Sequence, residues 1–322
     1  MNKIIILALL YLISVNVVNV FGQNNGNKDD NTFVHKRNFD TSASRIKVSL
    51  NAYSFNKELD NYVKGNNGDQ MTIFDLIDFC SLHKIPAVDI TGYYFLGYPE
   101  VPGDEYIYAV KRYAHLQGVD ISGTGVRNNF ANPDRTAREK DVEMVKKWID
   151  VAAKLGAPVI RVFSGTVPAG YENNWKVPAA WMVECLKECA AYGAERGVII
   201  GVQNHGDMLK TADETIQIIK EVNSPWIGVI VDTGNFKVED PYKDIEKVIP
   251  YAVNFQLKES AFGTNSAVRM DLPRFMKILN KSGYKGYIPI ETLQMQGRVY
   301  DPHTLIPLFL KDVNEAIEAE YK

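Results

Sequence analysis

Apolar runs and helix-periodic stretches alternate along this chain from Ile46 onward. The runs are IKVSLNAYSF from Ile46, AVDITGYYF from Ala87, VDISGTGV from Val119 and APVIRVFSG from Ala157, then VIIGVQNH from Val198, WIGVIVDTGN from Trp226, YAVNFQLKE from Tyr251 and GYIPIET from Gly286. Each reads as a strand buried on both faces, because its apolar residues are nearly continuous rather than alternating. The stretches between them carry helix signals. MTIFDLIDFCSLHK places Ile73, Leu76, Ile77 and Cys80 on one face. DEYIYAVKRYAHLQG starts at Asp104 and stops at Gly118. Thr136 and Glu139 have the spacing of a capping box, Val142, Val145, Ile149 and Ala153 follow on one face, and Gly156 suits a left-handed C-terminal cap. A helix through Trp181 to Arg196 closes at Gly197, and Thr211 with Glu214 opens another that runs to Val222. Asp240–Pro241 and Asp301–Pro302 are helix starts of the N-cap-then-proline kind, and the residues from Asp271 to Lys281 form a further helix.

Eight strands alternating with eight helices predict an α/β fold, a single (β/α)8 TIM barrel over residues 45–322. An open doubly wound sheet would carry a glycine-rich phosphate loop after its first strand. The segment VSLNAYSFNKELDN has no glycine, which favours the closed barrel.

The first residues are of another kind. Lys3 precedes an apolar run that continues, interrupted by Asn16 and Asn19, to Phe21, and Val20 and Gly22 then have the small-x-small form of a cleavage site. Residues 1–22 are expected to be a signal peptide, and the polar residues 23–44 a disordered leader. This predicts a periplasmic or secreted protein with no stable membrane anchor after cleavage.

The 322 residues are 46% hydrophobic and 23% charged, with a net charge of −3, so nothing marks a nucleic-acid-binding face. The three cysteines, Cys80, Cys185 and Cys189, give no disulfide framework, since the last two are four apart on one helix, and buried free thiols are expected.

Four polar residues end the last four strands: Gln203, Asp232, Gln256 and Glu291. They are spaced roughly 25–35 residues apart, one barrel repeat each, and the working residues of such barrels sit at the C-terminal strand ends. With their neighbours Gln203-Asn204-His205, Asp232-Thr233-Gly234-Asn235, Gln256-Leu257-Lys258-Glu259 and Ile290-Glu291, the chain from about residue 45 to 320 resembles the xylose-isomerase-like barrels, the sugar phosphate isomerase/epimerase superfamily. That resemblance implies a divalent metal held by Glu, Asp, His and Glu from the last four strands, and two glutamates that move protons between adjacent carbons. The implied metal positions here are Gln203, Asp232, Gln256 and Glu291. This chain departs from the pattern: glutamine replaces the first glutamate and the histidine, and Asn235 stands where the family often has histidine. Four oxygen donors with two charges suit Mg²⁺, Mn²⁺ or Ca²⁺ better than zinc, although an inert hydrogen-bonded cluster is the alternative.

A glutamine cannot abstract a proton, so Glu291 is the main candidate base, with His205 and Glu259 as replacements for the lost partner. Lys258 is the candidate cation for a developing oxyanion. Arg127, Arg161, Asn204, Asn235 and Glu259 are candidate substrate contacts, as are Asn51, Tyr53, Thr91, Tyr93 and Tyr94 at the mouths of the first two strands, where hydroxyl-binding and aromatic groups suit a carbohydrate. The expected activity is isomerisation or epimerisation of a free sugar or keto-sugar through an enolate, divalent-metal assisted. A keto-sugar lyase or hydratase, which needs one base, and a non-catalytic sugar-binding barrel are the alternatives.

Overall fold

Eight parallel strands close into a barrel in chain order. The computed structural model describes residues 46–321 apart from 207, 266 and 267, so the expected signal peptide and leader lie outside the described residues. The strands are β1 (Ile46–Asn51), β2 (Ala87–Thr91), β3 (Asp120–Gly125), β4 (Val159–Phe163), β5 (Ile199–Gln203), β6 (Ile227–Asp232), β7 (Ala252–Glu259) and β8 (Gly286–Thr292). β8 pairs with β1 from Ile46↔Gly286 to Leu50↔Ile290, which shuts the ring. Every residue of β2 and β6 is buried, as expected where one face fills the barrel and the other meets the helices.

The helices form the outer layer: α1 (Asn56–Lys64), α2 (Ile73–Leu82), α3 (Asp104–Leu116), α4 (Arg135–Leu155), α5 (Lys176–Arg196), α6 (Ala212–Val222), α7 (Pro241–Val248), α8 (Leu272–Ser282) and α9 (Pro302–Glu320). Eight were expected. The additional one is α1, which follows a 3₁₀ turn at Ala52–Phe55 and ends at Gly65 in the left-handed conformation. It is only nine residues long and buries Leu59 as its one apolar side chain, too little periodicity to stand out in the sequence.

The helix boundaries show which local signals held. Thr211 and Glu214 form both bonds of the capping box at α6. Gly156 and Gly197 cap α4 and α5 at φ 82° and 68°. The capping box expected at Thr136 and Glu139 does not form. Asp134 caps α4 instead, accepting from the Thr136 N–H at 2.9 Å, and Glu139 takes Arg135 at 2.8 Å. Aspartate is as good an N-cap as threonine, and here it comes first in the chain. Proline opens α7 as expected, yet Asp240 makes no cap bond and faces Arg274 and Lys243. Asp271 and Asp301 do cap α8 and α9. The three cysteines are buried free thiols.

Strand alternation positions the site. On β7, Phe255 packs outward against Phe275 and Tyr284 of the helical layer, which turns Asn254, Gln256 and Lys258 to the barrel interior. The lower interior is polar: the Ser49 and Ser122 hydroxyls lie 2.6 Å apart, and Asn254 donates weakly to Asp89 and to the Ser122 carbonyl. Asp89 is 4% exposed, and burial pushes its carboxyl up to about 7, against the opposing pull of Arg161.

Candidate active site

Register brings the four strand-end residues together. Asp232 is paired with Gln256 across β6 and β7, and Lys258 with Glu291 across β7 and β8. Gln203 ends β5, where it reaches both Asp232 and Gln256. All four expected metal positions thus converge at the C-terminal mouth, each at most 5% exposed.

What they touch is different from a metal site. The Asp232 Oδ2 accepts from three donors: the Gln203 amide at 2.5 Å, the Asn235 amide at 2.7 Å and the Lys258 ammonium at 2.8 Å. Its Oδ1 accepts from the Gly234 N–H at 3.0 Å. The Gln203 amide nitrogen also donates to the Gln256 carbonyl oxygen. The Lys258 ammonium further lies 3.5 Å from the Glu291 Oε1, so it sits between the two carboxylates. A divalent ion needs free oxygen lone pairs. Here Gln203 presents N–H groups, the Asp232 Oδ2 is taken by three donors, and a cation already occupies the space between the acids. The residues present do not fit a divalent ion, and among the described residues no group of three or more His, Cys, Asp or Glu side chains is arranged to hold one. The four expected ligand residues thus meet at the mouth bonded to one another and to Lys258.

The cluster floors a cavity of about 420 Å³. Asn51, Tyr53, Arg127, Arg161, His205, Lys258 and Glu291 line it, together with Gln203, Gln256, Tyr93, Phe163 and Leu293. Of these, Phe163 and Leu293 were not anticipated. Phe163 had a readable signal, since it lies two residues after Arg161 on β4 and shares its face. Arg161 is 3% exposed, stacks on Phe163 at 4.0 Å and donates to the Tyr93 hydroxyl at 3.3 Å. Arg127 lies over the other aromatic wall, 4.3 Å from the Tyr93 ring centre.

Three expected substrate contacts have other partners. Asn204 is fully buried and bonds the Asp232 backbone at both N–H and C=O, which locks β5 to β6. Asn235 holds the Asp232 carboxylate. Glu259 is turned away from the interior by the same alternation that turns Lys258 toward it, and Arg298 grips it through two bonds of 2.6 and 3.0 Å. Glu259 is therefore no replacement base. Thr91 and Tyr94 are buried and do not line the cavity.

Burial opposes the charge on Lys258, yet the carboxylates of Asp232 and Glu291 outweigh it and hold the ammonium above the ordinary lysine value. Burial likewise raises Glu291 above the usual carboxylate range, with Lys258 pulling the other way. His205, at the rim with its ring 4.6 Å from Phe163, is lowered by loss of hydration, with Asp232 opposing and Lys258 and Arg161 reinforcing. The mouth thus brings together an ammonium held charged by two acids, a carboxyl raised by burial and an imidazole lowered by it.

Residues 87–307, more than half of the chain, match the model of the xylose isomerase-like TIM barrel family. The chain belongs to this family. A ketose 3-epimerase from Arthrobacter globiformis is 21% identical over 183 residues, which make up 53% of this chain and 61% of that protein, less than two thirds of its length. Among solved structures, a D-psicose 3-epimerase from Clostridium cellulolyticum H10 bound to D-tagatose superposes with a TM-score of 0.67 at 16% identity, covering 84% of this chain and 99% of that one. A 3-keto-D-glucoside 4-epimerase from E. coli gives 0.64 at 13% identity, covering 85% and 100%. At such identities these likenesses establish the barrel. In this chain Asp232 ends the sixth strand and Glu291 lies near the end of the eighth, with the Lys258 ammonium between them.

Proposed function

We propose that the protein is an isomerase- or epimerase-type enzyme that enolises a free sugar or keto-sugar. The observation that carries the reading is Glu291: a carboxyl 3% exposed, raised above its ordinary range, at a cavity wall and 3.5 Å from an ammonium. Such a group removes a proton from the carbon beside a carbonyl and returns it, because burial makes it a stronger base than an exposed carboxylate. The positive side chains around it favour the enolate over the ketone. His205 lines the same cavity, and its imidazole, held toward the neutral form by burial, is our candidate to exchange a proton at the other face of that carbon. Asn51, Tyr53, Tyr93 and Phe163 supply hydroxyl-binding and ring-stacking surface for a sugar. Family membership and the ketose epimerases among the relatives support the same substrate class. The N-terminal run, read as a signal peptide, would put the enzyme in the periplasm or outside the cell, where free rather than phosphorylated sugars are met.

One observation favours a second reading, a keto-sugar lyase or hydratase. Gln203 is spent as a donor to Asp232 and Gln256 and offers no base, and elimination needs only one. Incubation with a panel of ketoses and 3-keto-sugars in D₂O, followed by proton NMR, tests both. Deuterium at a carbon beside the carbonyl with a new stereoisomer supports epimerisation. Deuterium with an unsaturated or hydrated product supports the lyase. No exchange with any member of the panel removes enolisation and leaves a binding barrel.

A further inference from the structure

We infer that Lys258 replaces the divalent ion of this site, and that the enzyme therefore grips its substrate at one oxygen rather than two. This rests on the reading of the cavity as a keto-sugar site. The ammonium has three N–H donors. One points to Asp232 at 2.8 Å and one to Glu291 at 3.5 Å, which leaves one for the cavity that Lys258 lines. Asp232 acts as the fixed counter-ion: it is wholly buried, its Oδ2 takes the Gln203 and Asn235 amides beside the Lys258 ammonium, and its Oδ1 takes the Gly234 N–H. The strand register places Lys258 directly beside Glu291, so the oxygen that takes the third N–H belongs to the carbonyl next to the carbon that Glu291 deprotonates.

The consequence is one of specificity. A divalent ion with open positions chelates two neighbouring oxygens, a carbonyl and the adjacent hydroxyl, and so demands an α-hydroxyketone. A single N–H demands only the carbonyl. The substrate class widens to keto-sugars whose neighbouring oxygen is absent, alkylated or part of a glycosidic bond.

The test uses the full protein and needs no substrate in its first arm. Mn²⁺ is titrated by calorimetry and by the loss of its free-ion magnetic resonance signal. The wild type is expected to show no site that depends on Asp232. One Mn²⁺ per chain in the wild type, lost in Asp232→Asn, overturns the inference. The combination Gln203→Glu, Gln256→His, Lys258→Ala restores an acidic and imidazole ligand set, and is expected to take up one Mn²⁺ and to melt at higher temperature with the ion than without it. A folded triple variant, by circular dichroism, that ignores Mn²⁺ counts against the inference, and if the triple variant does not fold the wild-type titration decides alone. The second arm compares binding of a ketose with that of its analogue lacking the hydroxyl beside the carbonyl. Affinities within roughly threefold are expected, since no charge-assisted contact is lost. A loss of about a hundredfold, the size of a broken chelate contact, overturns the one-oxygen grip. Because metal uptake is read without turnover, its outcome is separate from the deuterium-exchange test of the enzymatic reading.

Discussion

The Lys258 ammonium lies 2.8 Å from the Asp232 carboxylate, with the lysine side chain 11% exposed and the aspartate fully buried. Two strand ends, β6 and β7, thus meet through a desolvated ion pair rather than through a shared ligand. Removing one partner of such a pair leaves the other charge buried alone, at a cost of about 3–5 kcal/mol. Lys258→Met should therefore destabilise the protein by an amount of that order, although methionine fills most of the same volume. Chemical denaturation followed by circular dichroism measures it, and a loss near zero would show that Asp232 finds its compensation elsewhere.

Glu291→Gln keeps the size and removes the base. Proton exchange into substrate should fall by roughly 10²–10⁴-fold, the usual contribution of a positioned general base, while the far-ultraviolet spectrum stays unchanged. Exchange retained at near wild-type rate would transfer the role to His205.

Gln203→Glu places a second carboxylate against Asp232, where an amide donor stands 2.5 Å away now. Without added metal this variant should melt below the wild type, because two buried carboxylates at that separation cannot both stay ionised. The native reaction should not improve. A large gain in turnover would mark the glutamine as a defect in an ordinary two-base isomerase and remove the lyase reading.

Asp89 gives the pH dependence. Its carboxyl is raised from 3.8 to about 7 by burial. A raised folded-state value means that the stability of the protonated form is fully present below about pH 4 and is lost as pH rises through 7. Asp89→Asn should therefore match the wild type near pH 4, exceed it increasingly up to about pH 7 and keep a constant advantage above that, by roughly 2–4 °C in melting temperature for each kcal/mol recovered. Thermal melts at several pH values check this, and an advantage that shrinks with rising pH would contradict the burial account.

Much of the molecule was legible in the chain because its signals are local. The eight runs gave the strand starts within two residues, since two-sided burial in a parallel barrel leaves each run almost wholly apolar, while five of the runs continue two to four residues past the strand end into the mouth loops. Strand-end position alone predicted that Gln203, Asp232, Gln256 and Glu291 would meet, because a closed barrel brings all its C-terminal strand ends to one mouth. Asp89 also had a visible mark, an acid inside the apolar run AVDIT, and it was overlooked for lying below the strand end.

The tertiary structure decided which partner each side chain took. The tetrapeptide QLKE names a lysine and a glutamate side by side, yet period-two alternation sends Lys258 inward to Asp232 and Glu291 and leaves Glu259 to Arg298, a residue from the segment after β8. Asn204 and Asn235 read as substrate contacts in one dimension, but the buried Asp232 needs their hydrogen bonds, and a buried carboxylate recruits whatever donors the fold brings near. The nature of the cation at the centre followed the same rule. The chain by itself determined the barrel and the two surviving acids. Only their spacing in three dimensions, with one ammonium within reach of both, determined that the positive charge between them belongs to the protein.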